Sequence, residues 1–157
     1  MKILLMAVGR TTIDFVRRGL DECLDRLKHY VPVETKIIPD LKRTAGLTPP
    51  RQKEQEGDAI LAALQPSDRV ILLDENGREY TSREFAAWTE RQMASGAKRC
   101  VFIVGGPYGF SPAVYDRADA KVSLSKMTFN HEMVRLFFVE QLYRAQTILR
   151  GEPYHHD

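Results

Sequence analysis

This sequence predicts an α/β fold, with a mostly parallel sheet covered by helices on both faces. Two observations carry that expectation. Runs of strand character alternate with runs of helical period along the whole chain. The apolar run Val101-Phe102-Ile103-Val104 also breaks directly into Gly105-Gly106-Pro107-Tyr108-Gly109. Such a break brings bare backbone to the carboxyl end of a sheet, where open α/β folds hold their ligands.

The elements follow in order. Lys2 to Val8 is a β-rich run, and Ile13 to Tyr30 sets Val16, Leu20, Cys23, Leu24 and Leu27 on one helical stripe. Val33 to Ile38 reads as a second strand ending at Pro39, and a basic, turn-rich loop with Lys42, Arg43 and Gly46 follows. Thr48 as N-cap, with Pro49 at the first helical position, opens a second helix through Ile60, Leu61 and Leu64 to a stop near Pro66. Arg69 to Leu73 is a third strand. Thr81 and Glu84 have capping-box spacing for a third helix through Phe85, Trp88 and Met93, which Gly96 ends. Cys100 to Val104 is a fourth strand, Ser111-Pro112 caps a brief fourth helix, and Val122 to Leu124 is a short fifth strand. Thr128 or Asn130 opens a last helix to about Arg150. No repeat, low-complexity tract or linker divides the chain, so residues 1–157 are expected to form one domain, long enough to bury a core without disulfides or metals.

Composition narrows the function classes. A formal charge of +2, from 23 bases against 21 acids, is too small to argue for nucleic acid by itself. The longest apolar run, near Met1 to Val8, is too short to span a bilayer, and neither its flanks nor a cleavage site suits a signal peptide. A cytoplasmic protein with no membrane partner is expected. Cys23 and Cys100 fall inside helix and strand patterns and read as small buried hydrophobes in a reducing compartment.

The last helix carries two apolar stripes. Val134, Phe137, Phe138, Leu142, Ala145, Ile148 and Leu149 would pack on the sheet, and Leu136, Val139 and Tyr143 lie on roughly the opposite side. A small chain has little material to cover both, so a homodimer through the second stripe is expected. His131 with Arg135 and Glu140 with Arg144 stand at ion-pair spacing between the stripes.

Three strand ends are candidate ligand loops: Leu72-Leu73-Asp74-Glu75-Asn76-Gly77, Gly105 to Gly109, and Leu124-Ser125-Lys126-Met127-Thr128. The dinucleotide fingerprint fails, because G-G-P-x-G lacks the spacing and proline removes an amide donor. There is no phosphate-binding G-x-x-x-x-G-K-[ST] loop, and His155-His156 are adjacent terminal residues without metal-ligand spacing, so no metal is expected. Asn76-Gly77 by itself is an ordinary turn. The loops suit a ligand held by backbone groups and apolar side chains, as an adenosine and a methionine moiety would be. A flavodoxin-like nucleotide module and a non-enzymatic RNA-binding dimer are the alternatives.

Several short motifs occur together: M-K-I-x-L-x-A-V-G at the start, L-D-x-x-G at Leu73 to Gly77, G-G-P-x-G at Gly105 to Gly109, S-L-S-K-M-T-F, H-x-x-x-R at His131 and Arg135, E-Q-L-Y-R-A at Glu140 to Ala145, and a P-Y-H tail. In order and spacing the chain resembles, end to end, the RlmH family of the SPOUT superfamily. That resemblance implies a C-terminal trefoil knot and S-adenosylmethionine as cofactor. It implies methylation of N3 of a pseudouridine in 23S ribosomal RNA, on the assembled ribosome, by a homodimer whose bent cofactor faces the partner subunit. It also implies a cofactor pocket at Leu73, Gly105 and the stretch Leu124, Ser125, Lys126, Met127, Thr128 and Phe129. On physical grounds Gly105 and Gly106 would let backbone approach the cofactor, while Leu124 and Met127 would flank an adenine.

Methyl transfer to an imide nitrogen needs removal of its proton, or donors that stabilise charge on the flanking carbonyls. Arg144 could supply such a donor, His155 could take the proton and Tyr154 could stack on the base. His156 departs from the Lys or Arg that the family often has there. Arg10, Arg17, Arg18, Lys42, Arg43, Arg51 and Lys53 are the remaining candidates for RNA contact.

Overall fold

The protein is described by a computed structural model, covering residues 1–41 and 45–156. Lys42, Arg43 and Asp157 lie outside the described residues. Strands β1 (Lys2–Val8), β2 (Val33–Ile38), β3 (Arg69–Glu79), β4 (Arg99–Val104) and β5 (Ala120–Ser123) pair in the order β2-β1-β4-β3-β5, every pair parallel. The helices are α1 (Asp14–Leu27), α2 (Pro49–Ala62), α3 (Ser82–Met93), α4 (Pro112–Arg117) and α5 (His131–Leu149), with a 3-10 turn at Pro153–His155.

Strand alternation sorts the core onto two faces. Ile3, Leu5 and Ala7 of β1 with Cys100, Phe102 and Val104 of β4 pack under α1, α3 and α5. Leu4, Met6 and Val8 with Val101 and Ile103 pack under α2 and α4. Both faces are therefore covered, as the alternation of strand and helix requires of a parallel sheet. The capping residues act as expected. Thr81 Oγ1 accepts from Glu84 N at 3.1 Å while Glu84 Oε2 accepts from Thr81 N at 2.8 Å. Thr48 and Ser111 accept from the amides of Arg51 and Val114.

Several boundaries differ from expectation. α1 ends at Leu27 rather than Tyr30, α2 ends at Ala62, and β5 covers Ala120–Ser123 rather than Val122 to Leu124. Asn130, not Thr128, caps α5, its Oδ1 accepting from Glu132 N at 2.8 Å. β3 continues well past Leu73. Leu73 and Arg78 both pair with Val122, so residues 74–77 leave the ladder as a bulge. The Asn76-Gly77 step is thus part of a strand irregularity, not a simple turn. A Cβ at Gly77 would lie 2.7 Å from the backbone of Lys121 and Val122, which explains the glycine.

The second stripe of α5 is covered within the chain. α5 lies in one layer with α1 and α3, so its flanks are buried as well as its sheet face. Val139 is fully buried in the core that contains Leu20 and Leu27 of α1. Leu136 packs on Gly19, where a Cβ would lie 3.2 Å away, and Tyr143 meets Tyr30 edge-on with centroids 5.7 Å apart. Phe137 and Leu149, expected against the sheet, are instead exposed. The stripe therefore gives no evidence for a dimer.

The first turn of α5 is tied to the end of β1. Glu132 Oε1 accepts from the amides of Thr12 (2.6 Å) and Ile13 (2.9 Å), and its Oε2 accepts from Thr12 Oγ1 (2.8 Å). Arg135, 1% exposed, donates to the carbonyls of Gly9 and Val8, both at 2.8 Å, and to Thr11 Oγ1 at 3.0 Å. Arg135 thus turns to the backbone after β1 and does not pair with His131. Burial alone would raise the Glu132 pKa, but the hydrogen bonds from Ile13 and Thr12, with the nearby Arg135, hold it below the usual carboxylate value. A depressed folded-state pKa contributes stability above the unfolded value of about 4.3 that is lost as pH falls through the folded value. Urea unfolding across acid pH should therefore show a steeper loss for the wild type than for Glu132→Gln. At neutral pH the variant should be about 1–3 kcal/mol less stable. Parallel stability profiles for the two proteins would remove this role.

Candidate active site

The carboxyl ends of β3, β4 and β5 converge on a cavity of about 570 Å³, within the range of small-molecule sites. Leu73, Gly105, Gly106, Leu124, Ser125, Met127, Thr128 and Phe129 line it. Lys126 does not. Its side chain is 86% exposed, with Nζ 4.0 Å from Glu79. A tight turn, in which Ser125 Oγ accepts from Met127 N and Ser125 O accepts from Ser123 Oγ, leaves Lys126 on the outside. Thr128 Oγ1 donates to Glu75 Oε2 at 3.1 Å and so ties this turn to the β3 bulge.

The glycines serve the loop from behind. A Cβ at Gly105 would lie 3.1 Å from the Phe110 ring and 3.3 Å from the Gly109 carbonyl. A Cβ at Gly106 would collide with the carboxylate of Glu56 from α2. Both residues border the cavity; behind them Glu56 leaves no room for a side chain at Gly106, while at Gly105 the Phe110 ring would have to give by a few tenths of an ångström. Glu56 is buried, with Oε1 accepting from Gln52 and Oε2 without a partner. Burial raises its pKa, partly offset by the Gln52 hydrogen bond.

Other lining residues had no role from sequence. Asp74 and Glu75 fell inside a recognised strand end, but nothing gave their side chains a direction. His131 stands in the sequence at ion-pair spacing from Arg135 and in the H-x-x-x-R motif, neither of which gives it a place on the cavity wall. Tyr115 had no sequence signal. The short α4 brings it to the rim, where its hydroxyl donates to Asp74, and burial with that hydrogen bond raises the phenol pKa. Among the described lining residues the charged or titratable side chains are Asp74, Glu75, Tyr108, Tyr115 and His131, with no Lys or Arg. A phosphate would meet carboxylates here, and a cationic ligand would be welcome.

Arg144, Tyr154 and His155 do come together. Glu140 Oε1 accepts from Arg144 Nη2 at 2.7 Å and from Tyr154 OH at 3.0 Å. Arg144 Nη1 lies 3.2 Å from His155 Nδ1, and the guanidinium sits 4.8 Å from the Tyr154 ring centroid. Burial, then the Glu140 hydrogen bond, raises the Tyr154 pKa. The tail is therefore a docked 3-10 turn, while His156 is exposed in the left-handed region at φ 57°. Val134 lines the cavity, and Arg144 stands ten residues further along α5, about 15 Å at helical rise. Within one chain the cluster and the cavity are apart.

Burial pushes the Cys100 thiol up to about 12, as a packing cysteine requires, and also raises that of Cys23. Among the described residues no His, Cys, Asp or Glu group could hold a metal, and no helix is long and apolar enough to cross a membrane.

The chain belongs to the SPOUT methyltransferases, matching over residues 1–155 the family described as "Predicted SPOUT methyltransferase". It is 53% identical over 157 residues to the ribosomal RNA large subunit methyltransferase H of Parabacteroides distasonis, covering all of both chains. The proteins of that name from Bacteroides fragilis and Porphyromonas gingivalis are 54% and 52% identical over the same span. Two solved structures share the fold at a TM-score of 0.53. One is a probable methyltransferase from Bordetella pertussis, 12% identical, with 92% of this chain and 93% of that one covered. The other is a probable methylase family protein from Haemophilus influenzae, 11% identical, with 99% and 70% covered.

The contact behind Gly106 can be tested by a double-mutant cycle. Gly106→Ala should destabilise the fold by about 1–3 kcal/mol, the usual cost of overpacking. Much of that cost should vanish in a Glu56→Ala background. Additive effects in urea denaturation would show that the two residues do not meet.

Proposed function

We propose that the protein transfers a methyl group from S-adenosylmethionine to N3 of a pseudouridine in 23S ribosomal RNA, within the assembled ribosome. The observation that carries this reading is the cavity at three strand ends, rich in backbone and apolar groups and without a cation, in a SPOUT methyltransferase. The relatives' name supports the large-subunit RNA as substrate. The residues present fit the cofactor. Leu73, Leu124 and Met127 supply apolar walls for an adenine, and Asp74 and Glu75 complement positive charge. The same carboxylates disfavour the phosphates of a flavin or nicotinamide cofactor.

Bound there, S-adenosylmethionine supplies an electrophilic methyl carbon on a cationic sulfur. As N3 loses its proton, Arg144 turns Nη1 from His155 Nδ1 to the carbonyl oxygens and offsets the negative charge that spreads over them. His155 takes the proton on Nδ1, which Arg144 has left, and Tyr154 stacks on the ring. Glu140 positions Arg144 and Tyr154 by holding both on one carboxylate oxygen, and Arg144 in turn meets His155. In balance, N3 would give its proton to His155 and take in its place the methyl group that the bound cofactor supplies.

The distance along α5 between cavity and cluster supports a homodimer in which the tail of one subunit works at the cavity of the other. Phe15, 59% exposed at the start of α1, is available to such a contact. A single domain with a C-terminal trefoil knot, located in the cytoplasm with the ribosome, completes the reading.

Calorimetry should show S-adenosylhomocysteine binding, with no heat from FMN or NADH. Binding of either phosphate-bearing cofactor in its place would overturn the assignment. A chain ending at Pro153 should remain dimeric by sedimentation and keep most cofactor affinity. It should lose methyl transfer to ribosomes by about a hundredfold or more. Wild-type turnover by that truncated chain would return the chemistry to residues of the cavity itself.

A further inference from the structure

The turn that follows α5 does not by itself aim the tail. Gly151, at φ 69°, bends the chain off the helix, and the amides of Gly151 and Glu152 close the last turn on the carbonyls of Ile148 and Thr147 at 3.0 and 2.9 Å. A Cβ at Gly151 would meet nothing within 4 Å, so packing at the turn does not set the direction in which Pro153–His155 leaves. Terminal residues in that position fray unless something ties them down.

The tie comes from the far end of α1. Tyr30 lies just past that helix, its amide donating to Leu27 O at 2.9 Å, and its hydroxyl donates to Glu152 Oε2 at 2.7 Å across 122 residues of chain. The Arg150 guanidinium, 4.4 Å from the Tyr30 ring centroid, adds a cation–π contact to the same ring. Tyr30 meets Tyr143 edge-on, and Tyr143 in turn meets Tyr154 edge-on with centroids 4.7 Å apart. A phenol therefore holds the tail on each flank, Tyr30 on Glu152 before the 3-10 turn and Tyr154 on Glu140 within it. The hydrogen bond to Glu152, ahead of burial, pushes the Tyr30 phenol up to about 12, so this donor keeps its proton across the neutral range. All of these contacts lie within one chain and are made whether or not a second copy covers the tail.

We propose that Tyr30 is a positioning residue for the methyl transfer: through Glu152 it fixes the direction of the tail, and so the placement of Tyr154 and His155 at the target base. The inference rests on the reading in which the tail acts on that base. Tyr154 and His155 follow Glu152 by two and three residues, so a swing at Gly151 passes to them undamped. Groups that stack on a base or take its proton tolerate little of this, since a misplacement of about 1 Å can cost roughly a hundredfold in rate. The Glu140 bond fixes one point of the tail. The Tyr30 bond, on the other flank, fixes its direction.

Steady-state methylation of ribosomal particles tests the proposal. Tyr30→Phe keeps the ring against Tyr143 and Arg150 but removes the donor, and should lower kcat by roughly tenfold or more. KM for S-adenosylmethionine and the calorimetric affinity for S-adenosylhomocysteine should not change. Glu152→Ala should behave alike, and the double variant should be no worse than either single one, since both remove the same contact. Glu152→Gln keeps a carbonyl oxygen for the phenol and should restore most of the rate. Independently of turnover, the nuclear magnetic resonance signals of the Tyr154 and His155 rings in Tyr30→Phe should move toward those of a free peptide of residues 151–157. A contact that only stabilises the fold would lower the unfolding temperature and leave kcat alone, and that result overturns the inference. Unmoved ring signals in Tyr30→Phe, or additive losses in the double variant, also overturn it. If the chain ending at Pro153 keeps wild-type turnover, the reading of the tail falls and the inference with it. Loss of activity in that chain beside full activity in Tyr30→Phe removes the role of Tyr30 alone.

Discussion

The clamp between the first turn of α5 and the loop after β1 is the interaction on which the site depends. α1 begins without a side-chain cap of its own, because its N-cap residue is Ile13. Glu132 reaches over from α5 and takes the amide of Ile13, the N-cap itself, as a Glu at N3 does in a capping box, together with the amide of Thr12 before it. One turn later Arg135 satisfies the carbonyls of Val8 and Gly9, where the chain leaves β1. The arrangement fixes α5 at the carboxyl edge of the sheet, and so fixes the turn at 124–129 that precedes it and the tail that follows it.

The charge pattern of the site follows from what that edge is asked to hold. The bulge in β3 swings Asp74 and Glu75 out of the ladder and into the rim of the cavity, while Gly77 lets the strand return to Val122. Tyr115 and Thr128 hold these two carboxylates in place through their hydroxyls. Lys126, a cation by sequence within the ligand loop, is turned away to Glu79. The result is an acidic rim on a protein of small positive charge, as suits a cationic sulfonium ligand.

Much of the architecture could be read from local rules, because those rules concern residues close together in sequence. The strands and the Thr48, Thr81 and Ser111 caps are of this kind, whereas the residues expected around the cofactor rest on resemblance to a family. Long-range pairing was invisible. Leu136 and Val139 looked like an uncovered stripe because helical period does not reveal that α1 lies on that flank. The same limit put His131 with Arg135, although Arg135 reaches residues more than a hundred positions away. Glycine was legible as a requirement but not as a reason. Gly105 and Gly106 mark a close approach, and only the fold shows that Phe110 and Glu56 are what approach.

An apolar helix in a layer between two others is poorly specified along its own axis. The contacts of Phe138, Val139, Leu142 and Ala145 would be largely recovered if α5 slid by one turn of about 5.4 Å. Hydrogen bonds are directional, and a slip of that size would leave Glu132 and Arg135 buried without the backbone groups they now satisfy. Burying a guanidinium is costly, and Arg135 Nε has no partner even here, so the clamp is a poor way to gain stability. As a device for register it is effective. It penalises every position of α5 but one, and that position places Val134 on the cavity at the strand ends and Arg144 against the docked tail. A helix of 19 residues registered at its first turn thereby holds the cavity wall and the tail cluster at a fixed spacing.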